Sequence, residues 1–176
     1  MRRQKVKIGK ILMIVLPCVV LAIAGIYLYA NEHNKRTGPE WFELQSKYMG
    51  EFQVYSENMD DIFALYITGT ISADDFANHL NVLKQELDIM SVMYHEELKA
   101  HPIKTGTHNY STKKACEAVE DCYRIFDEII TMGWNNMDDV EALSYKYITY
   151  QQEVIDNVAE YMAACNLEGT EEGVDE

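Results

Sequence analysis

Three of the four cysteines (Cys116, Cys122, Cys165), five histidines (His33, His79, His95, His101, His108) and several adjacent acid pairs are the residues here that could carry metal or covalent chemistry. Their spacing argues against most of it. Di-metal sites in helical bundles place a glutamate three residues before a histidine, and the residues at that offset are Ala30, Phe76, Val92, Leu98 and Thr105. No H-E-x-x-H, paired C-x-x-C, C-x-x-C-H or EF-hand loop occurs, so the common zinc, c-haem and calcium sites find no support. His95-Glu96-Glu97 holds three ligand types in a row, but successive helical residues point in different directions, and the run reads as a solvated face. Nor is there a G-x-S-x-G, a glycine-rich phosphate loop, or a serine or cysteine with a base at a diagnostic spacing. The pairs Asp60-Asp61, Asp74-Asp75, Glu96-Glu97 and Asp138-Asp139 read as helix caps and exposed faces. The expectation is a protein that is not an enzyme, with no catalytic residues, no metal site and no cofactor.

The cysteines also resist pairing. Cys116 and Cys122 share one helical stretch and are about 9 Å apart along its axis, too far for a bridge. If the chain turns back near residue 135, Cys165 is offset from Cys116 by roughly 16 Å. Three free, largely core-facing thiols are expected, which points weakly to a compartment that does not oxidise strongly.

The elements that position these groups are helical. Thr37-Gly38-Pro39-Glu40 has capping-box spacing with proline in the first turn. From there Trp41, Leu44, Tyr48, Phe52, Tyr55, Met59, Ile62 and Tyr66 recur at steps of three and four, predicting a first helix that stops at Thr68-Gly69-Thr70. Asn58-Met59-Asp60-Asp61 resembles Asn136-Met137-Asp138-Asp139, which suggests coincidence of cap and core pattern, with a possible break of the first helix near Ser56–Asn58. Ser72 and Asp75 cap a second helix with Phe76, Leu80, Leu83, Leu87, Met90 and Tyr94 on its seam. A loop follows over His101–Asn109. Ser111 or Thr112 then caps a third helix, with seam Ala115, Val119, Cys122, Phe126 and Ile129 and a stop at Gly133. A fourth opens at Asn136, with seam Val140, Leu143, Tyr147, Tyr150, Val154, Val158, Tyr161 and Cys165. The predicted fold is all-α, an antiparallel up-down-up-down four-helix bundle over residues 39–166, followed by a disordered acidic tail over 167–176. Its aromatic seam residues read as core rather than as a ligand cage.

Ahead of the bundle stands Ile11–Ala30, twenty uncharged residues. At 1.5 Å per residue they match a bilayer's hydrocarbon thickness of about 30 Å, so a transmembrane helix is expected, with Ile11, Leu16, Leu21 and Ile26 among its lipid-facing anchors. Residues 31–38 form a linker. Arg2, Arg3, Lys5, Lys7 and Lys10 precede the span without an acid among the first ten residues, which places residues 1–10 in the cytoplasm and the bundle outside by the positive-inside rule. A cleaved signal peptide ending near Ala22-Ile23-Ala24 is the competing reading, but it leaves Gly25–Ala30 as an apolar end. Cys18 follows Pro17 rather than a small residue, so it reads as part of the span and not as a lipid-attachment site.

The formal charge of −14 therefore averages two regions: residues 11–176 hold ten basic and 29 acidic residues, a net of −19. Such a body makes nucleic acid a poor partner, because affinity for phosphate rests on Lys and Arg. The expected function is that of a membrane-anchored, surface-exposed bundle acting through a protein partner or assembly in the cell envelope, touching the lipid bilayer through residues 11–30. The alternative is an extracytoplasmic module that binds a small molecule or metal in the bundle core or the 101–109 loop.

Overall fold

The computed structural model describes residues 35–36, 38–103 and 110–171, with side chains through Asn166 except that of Tyr110. The expected span, its anchors Ile11, Leu16, Leu21 and Ile26, the cations Arg2, Arg3, Lys5, Lys7 and Lys10, and residues 104–109 of the candidate loop lie outside the described residues. Among the described helices none is long and apolar enough to cross a membrane.

Four helices account for the described chain: α1 (Gly38–Ile67), α2 (Ala73–Ala100), α3 (Tyr110–Asn136) and α4 (Val140–Glu171). The only β-type pairing among the described residues is a single bridge between Arg36 and Ile103, where the Arg36 N–H donates to Pro102 O at 2.9 Å. α1 ends as its sequence requires: Gly69 takes φ +72°, a left-handed conformation open to glycine, and Thr68 Oγ1 donates to Ala64 O at 2.8 Å. α2 begins with a complete capping box. Asp75 N–H donates to Ser72 Oγ at 3.1 Å and Ser72 N–H donates to an Asp75 carboxylate oxygen at 3.4 Å. Ser72→Ala is expected to cost about 1 kcal/mol of stability, read as a lower urea midpoint at unchanged slope. The Ser72 hydroxyl also donates to the Asp75 carboxylate at 2.6 Å, and this bond, with that of the Ser72 N–H, holds the Asp75 carboxyl below the usual carboxylate range. A depressed folded pKa stabilises above the unfolded pKa and ceases to do so as pH falls through the folded one, so the gap between wild type and Ser72→Ala is expected to narrow in acid to what the Asp75 N–H bond to Ser72 Oγ contributes.

Several boundaries differ from the sequence reading. α1 runs unbroken through Ser56–Asn58, since Tyr55 and Met59 are buried one turn apart and both are anchored in the core. α3 starts at Tyr110, so Ser111 and Thr112 sit buried inside it rather than capping it. It also runs through Gly133. A Cβ at that position would meet Leu80 Cδ1 at 3.0 Å and Phe63 Cζ at 3.2 Å, so the glycine serves close packing and does not stop the helix. α4 opens at Val140, with Asp139 Oδ1 accepting from the Ala142 N–H at 3.0 Å, and its backbone stays helical to Glu171, beyond the expected end at 166.

The helices form a four-helix bundle in which consecutive helices, and the first and last, run antiparallel. Tyr55 Oη donates to Leu83 O between α1 and α2 (2.7 Å), and Tyr123 Oη donates to Met90 O between α3 and α2 (3.0 Å). Asn157 Nδ2 donates to Ala118 O between α4 and α3 (2.7 Å), and Ser46 Oγ meets Tyr161 Oη between α1 and α4 (2.7 Å). α1 and α3 approach across the short diagonal, whereas the backbones of α2 and α4 stay apart across the long one. The closest pair is α3 with α4, because Ala115, Ala118 and Ala164 lie buried together between them and let the backbones approach.

Candidate functional site

α4 leans onto α3 through those alanines, and its distance from α1 grows accordingly. Between α1 and α4 this leaves a cleft of about 370 Å³. Met49, Gly50, Gln53 and Glu57 form its α1 wall, Val154, Val158, Tyr161 and Met162 its α4 wall, and Cys122 and Phe126 of α3 its floor. Gly50 is part of the opening, since a Cβ added there would meet nothing within 4 Å. Polar clasps close both ends. At one end is the Ser46–Tyr161 hydroxyl pair; at the other, Asp60 Oδ1 accepts from Tyr147 Oη and from Gln151 Nε2, the latter at 2.8 Å.

The cleft continues onto an exposed apolar stripe. Tyr145 (76 % exposed), Ile148 (62 %), Ile155 (60 %) and Met162 (54 %) follow one another at steps of three, seven and seven along α4, which puts them on one side of the helix. Val158, 39 % exposed, joins this stripe to the cleft wall. The chain thus presents one continuous apolar surface from the α3 floor to the outer face of α4.

Of the residues expected in the core, Trp41, Tyr48, Phe52, Phe76, Leu80, Leu83, Leu87, Val119, Cys122, Phe126, Ile129, Leu143 and Tyr147 are buried, and Tyr150 and Val154 are partly buried against them. Val158 is a correction. The inward row of α4 passes through Asn157, which is 7 % exposed, and then Tyr161 and Ala164; position 158 is rotated by one residue, about 100°, towards α1 and solvent. Asn157 earned no place in a hydrophobic pattern because it is polar. Its amide is nonetheless satisfied, donating to Ala118 O and to Cys122 Sγ at 3.1 Å. Phe63, Tyr123, Ile125, Ile130 and Met132 are also buried although the seams omit them. Four of the five lie on α3, which contacts every other helix and so buries a wider arc than one seam.

Chemistry at these positions is muted. Burial pushes the Cys122 thiol up to about 12, so at neutral pH it stays protonated and is a poor nucleophile and metal ligand. Burial also raises the Cys116 thiol and the phenol of Tyr94, which donates to the buried Gln45 Oε1 at 2.9 Å. All three described cysteines are free thiols. His95 is exposed, with Nδ1 2.7 Å from Ser91 O and Nε2 3.2 Å from Glu120 Oε1. Among the described residues, no three His, Cys, Asp or Glu side chains converge as metal ligands. Trp41 Nε1, Gln45 Nε2 and Ser111 Oγ are buried without a hydrogen-bond partner, each at a desolvation cost of about 1–3 kcal/mol.

The fold and surface define a class, an all-helical bundle with an apolar cleft and stripe on its α1–α4 side and a shallower apolar groove lined by Val54, Ile89 and Met90 on its α1–α2 side. No protein-family model, curated protein or solved structure matches the chain.

Proposed function

We propose that this chain is a membrane-tethered, non-catalytic interaction module, held by the apolar run 11–30 with its N-terminus in the cytoplasm, and that it engages a protein partner through the α1–α4 face of its bundle. The observation that carries this reading is the α4 stripe of Tyr145, Ile148, Ile155 and Met162 running into the cleft. Isolated exposed apolar residues are ordinary on a protein surface, but a contiguous patch that ends in a groove is a recurrent mark of an interaction site.

A photo-reactive amino acid at position 155 in cells tests the reading, with position 85 on the exposed side of α2 as control. Protein adducts are expected from position 155 only, and Ile148→Asp is expected to reduce them at least tenfold while leaving the melting temperature within a few degrees, because residue 148 is outside the core. Adducts to lipid alone, or adducts indifferent to Ile148→Asp, overturn the proposal. A second reading, a small apolar ligand, is favoured by the cleft's volume, which lies in the range of roughly 300–1,000 Å³ common for such sites. In that case a molecule co-purifies with the full chain and is lost when Gly50→Leu fills the cleft.

A further inference from the structure

Two rows run along α4 with one rhythm. The inner row, from Tyr147 through Val154 and Asn157 to Ala164, steps by three and four and is turned into the bundle. On the opposite side Tyr145, Ile148, Gln152, Ile155, Ala159 and Met162 step by three, four, three, four and three, and all six are exposed. Strict alternation of three and four is the a/d pattern of a coiled coil, which puts Tyr145, Gln152 and Ala159 at a and Ile148, Ile155 and Met162 at d. The outer row of a bundle helix is ordinarily polar, whereas this one is interrupted by a single amide over about 25 Å of axis. The outer row of α2 is the nearest comparison. There Val82, Gln85, Ile89 and Val92 keep the same steps for only about 15 Å and run out at Asn78 and Glu96.

We infer that α4 pairs with α4 of a second copy of this chain, parallel and in register, through this outer row. The inference rests on the partner-binding reading above and names the partner. Charges at e and g select a foreign helix in a coiled coil. Within this row the e positions are Thr149 and Asp156 and the g positions Gln151 and Val158, so no such code is written, and because e faces g in a parallel pair, Asp156 does not meet its own counterpart. Gln152 fixes the direction. Parallel pairing sets like against like, so amide meets amide; antiparallel pairing sets a against d, and every d residue here is apolar. Gln152 Nε2 donates to Asp156 Oδ1 at 2.8 Å, which leaves its carbonyl oxygen and second amide hydrogen for the other Gln152. A polar residue at one a position specifies register in this way at some cost in stability. α1 and α3 flank α4, held to it by Gln151 with Asp60 and by Glu153 with Arg124, so the row is open to one further helix. About two and a half heptads make a weak pair in free solution, and a membrane tether raises the effective concentration at which the copies meet.

The test uses the full chain. Sedimentation equilibrium in a zwitterionic detergent is expected to show a dimer whose dissociation constant rises at least tenfold on Ile155→Asp and is unchanged by Ile89→Asp on α2, with both melting temperatures within a few degrees of wild type, because neither residue is in the core. In zwitterionic vesicles, with Cys18→Ser and Cys165→Ser as background, oxidation is expected to join Gln152→Cys to itself at least tenfold more than Glu160→Cys, which is exposed on α4 but outside the row. Gln152→Cys that joins Ile148→Cys or Ile155→Cys in preference to itself shows an antiparallel pair and overturns the inference. A dimer indifferent to Ile155→Asp, or one lost on Ile89→Asp, overturns it as well, since the contact then lies elsewhere. A chain that stays monomeric and does not cross-link to itself, yet gives photo-adducts to another protein from position 155, overturns the inference and leaves the partner-binding reading standing. Absence of self-association and of protein adducts overturns both.

Discussion

Phe63→Ala is expected to lower the unfolding free energy of the bundle by about 3–5 kcal/mol, the largest cost of any truncation considered for this chain. Phe63 is fully buried and is the point where all four helices meet. Its ring stands edge-on to Phe76 of α2 at 5.1 Å, stacks on Tyr147 of α4 at 4.0 Å, and fills the space that Gly133 of α3 leaves open, its Cζ only 3.2 Å from where a Cβ would stand. Alanine removes the transfer energy of the ring and leaves a cavity that rigid neighbours cannot close, while the gain in helix propensity offsets only about 0.5 kcal/mol. Urea unfolding of the full chain in detergent, followed by circular dichroism, measures the loss. Leu65→Ala, two residues along α1 but 40 % exposed, serves as control and is expected to cost less than about 1 kcal/mol. A Phe63→Ala cost below that of the control would show that the four helices do not share this contact.

Asn157→Asp is expected to be nearly as damaging at neutral pH, about 3 kcal/mol or more, and to be corrected by acid. The amide Nδ2 donates to Ala118 O and to Cys122 Sγ; a carboxylate there has no proton to donate and turns negative charge on a carbonyl oxygen in a buried site. Desolvation and the facing carbonyl raise its folded pKa above the unfolded value. Its stabilising contribution is therefore fully present below the unfolded pKa, where the protonated acid donates, and is lost as pH rises through the folded pKa. The stability difference from wild type is expected to widen from pH 4 to pH 7, while Asn157→Leu, uncharged, gives a difference that does not vary with pH. A pH-independent difference for Asn157→Asp would mean that the site admits water.

The pattern of apolar residues made the helices legible because each core face repeats at three and four over many turns. Leu80, Leu83 and Leu87 could hardly be placed anywhere but inside. Legibility failed where one residue type serves two purposes. Gly133 has the composition of a helix stop, and only the neighbouring Leu80 and Phe63 reveal it as a point of close approach. α4 was the hardest to read, since it is apolar on two sides. A reader seeking one seam assigns Val158 inward and passes over Asn157, whereas the true inner row contains the amide and leaves Val158 at the rim. The candidate surface was invisible for the same reason. Tyr145, Ile148, Ile155 and Met162 form a regular stripe, but which of two stripes faces the core is decided by α3, through its alanines.

The hydrogen bonds to backbone carbonyls also determine how the bundle bears a load. Tyr55 to Leu83, Tyr123 to Met90 and Asn157 to Ala118 fasten α1 to α2, α2 to α3 and α3 to α4 at fixed heights. Sliding either helix of such a pair by one turn, about 5.4 Å, would break its bond. The fastenings across α1 and α4 described above are side chain to side chain, Ser46 with Tyr161 and Asp60 with Tyr147 and Gln151, and these can lengthen or swing as rotamers change. A wedge driven between the first and last helices therefore meets only side-chain clasps, whereas one driven into any of the other three seams must break a bond to fixed backbone.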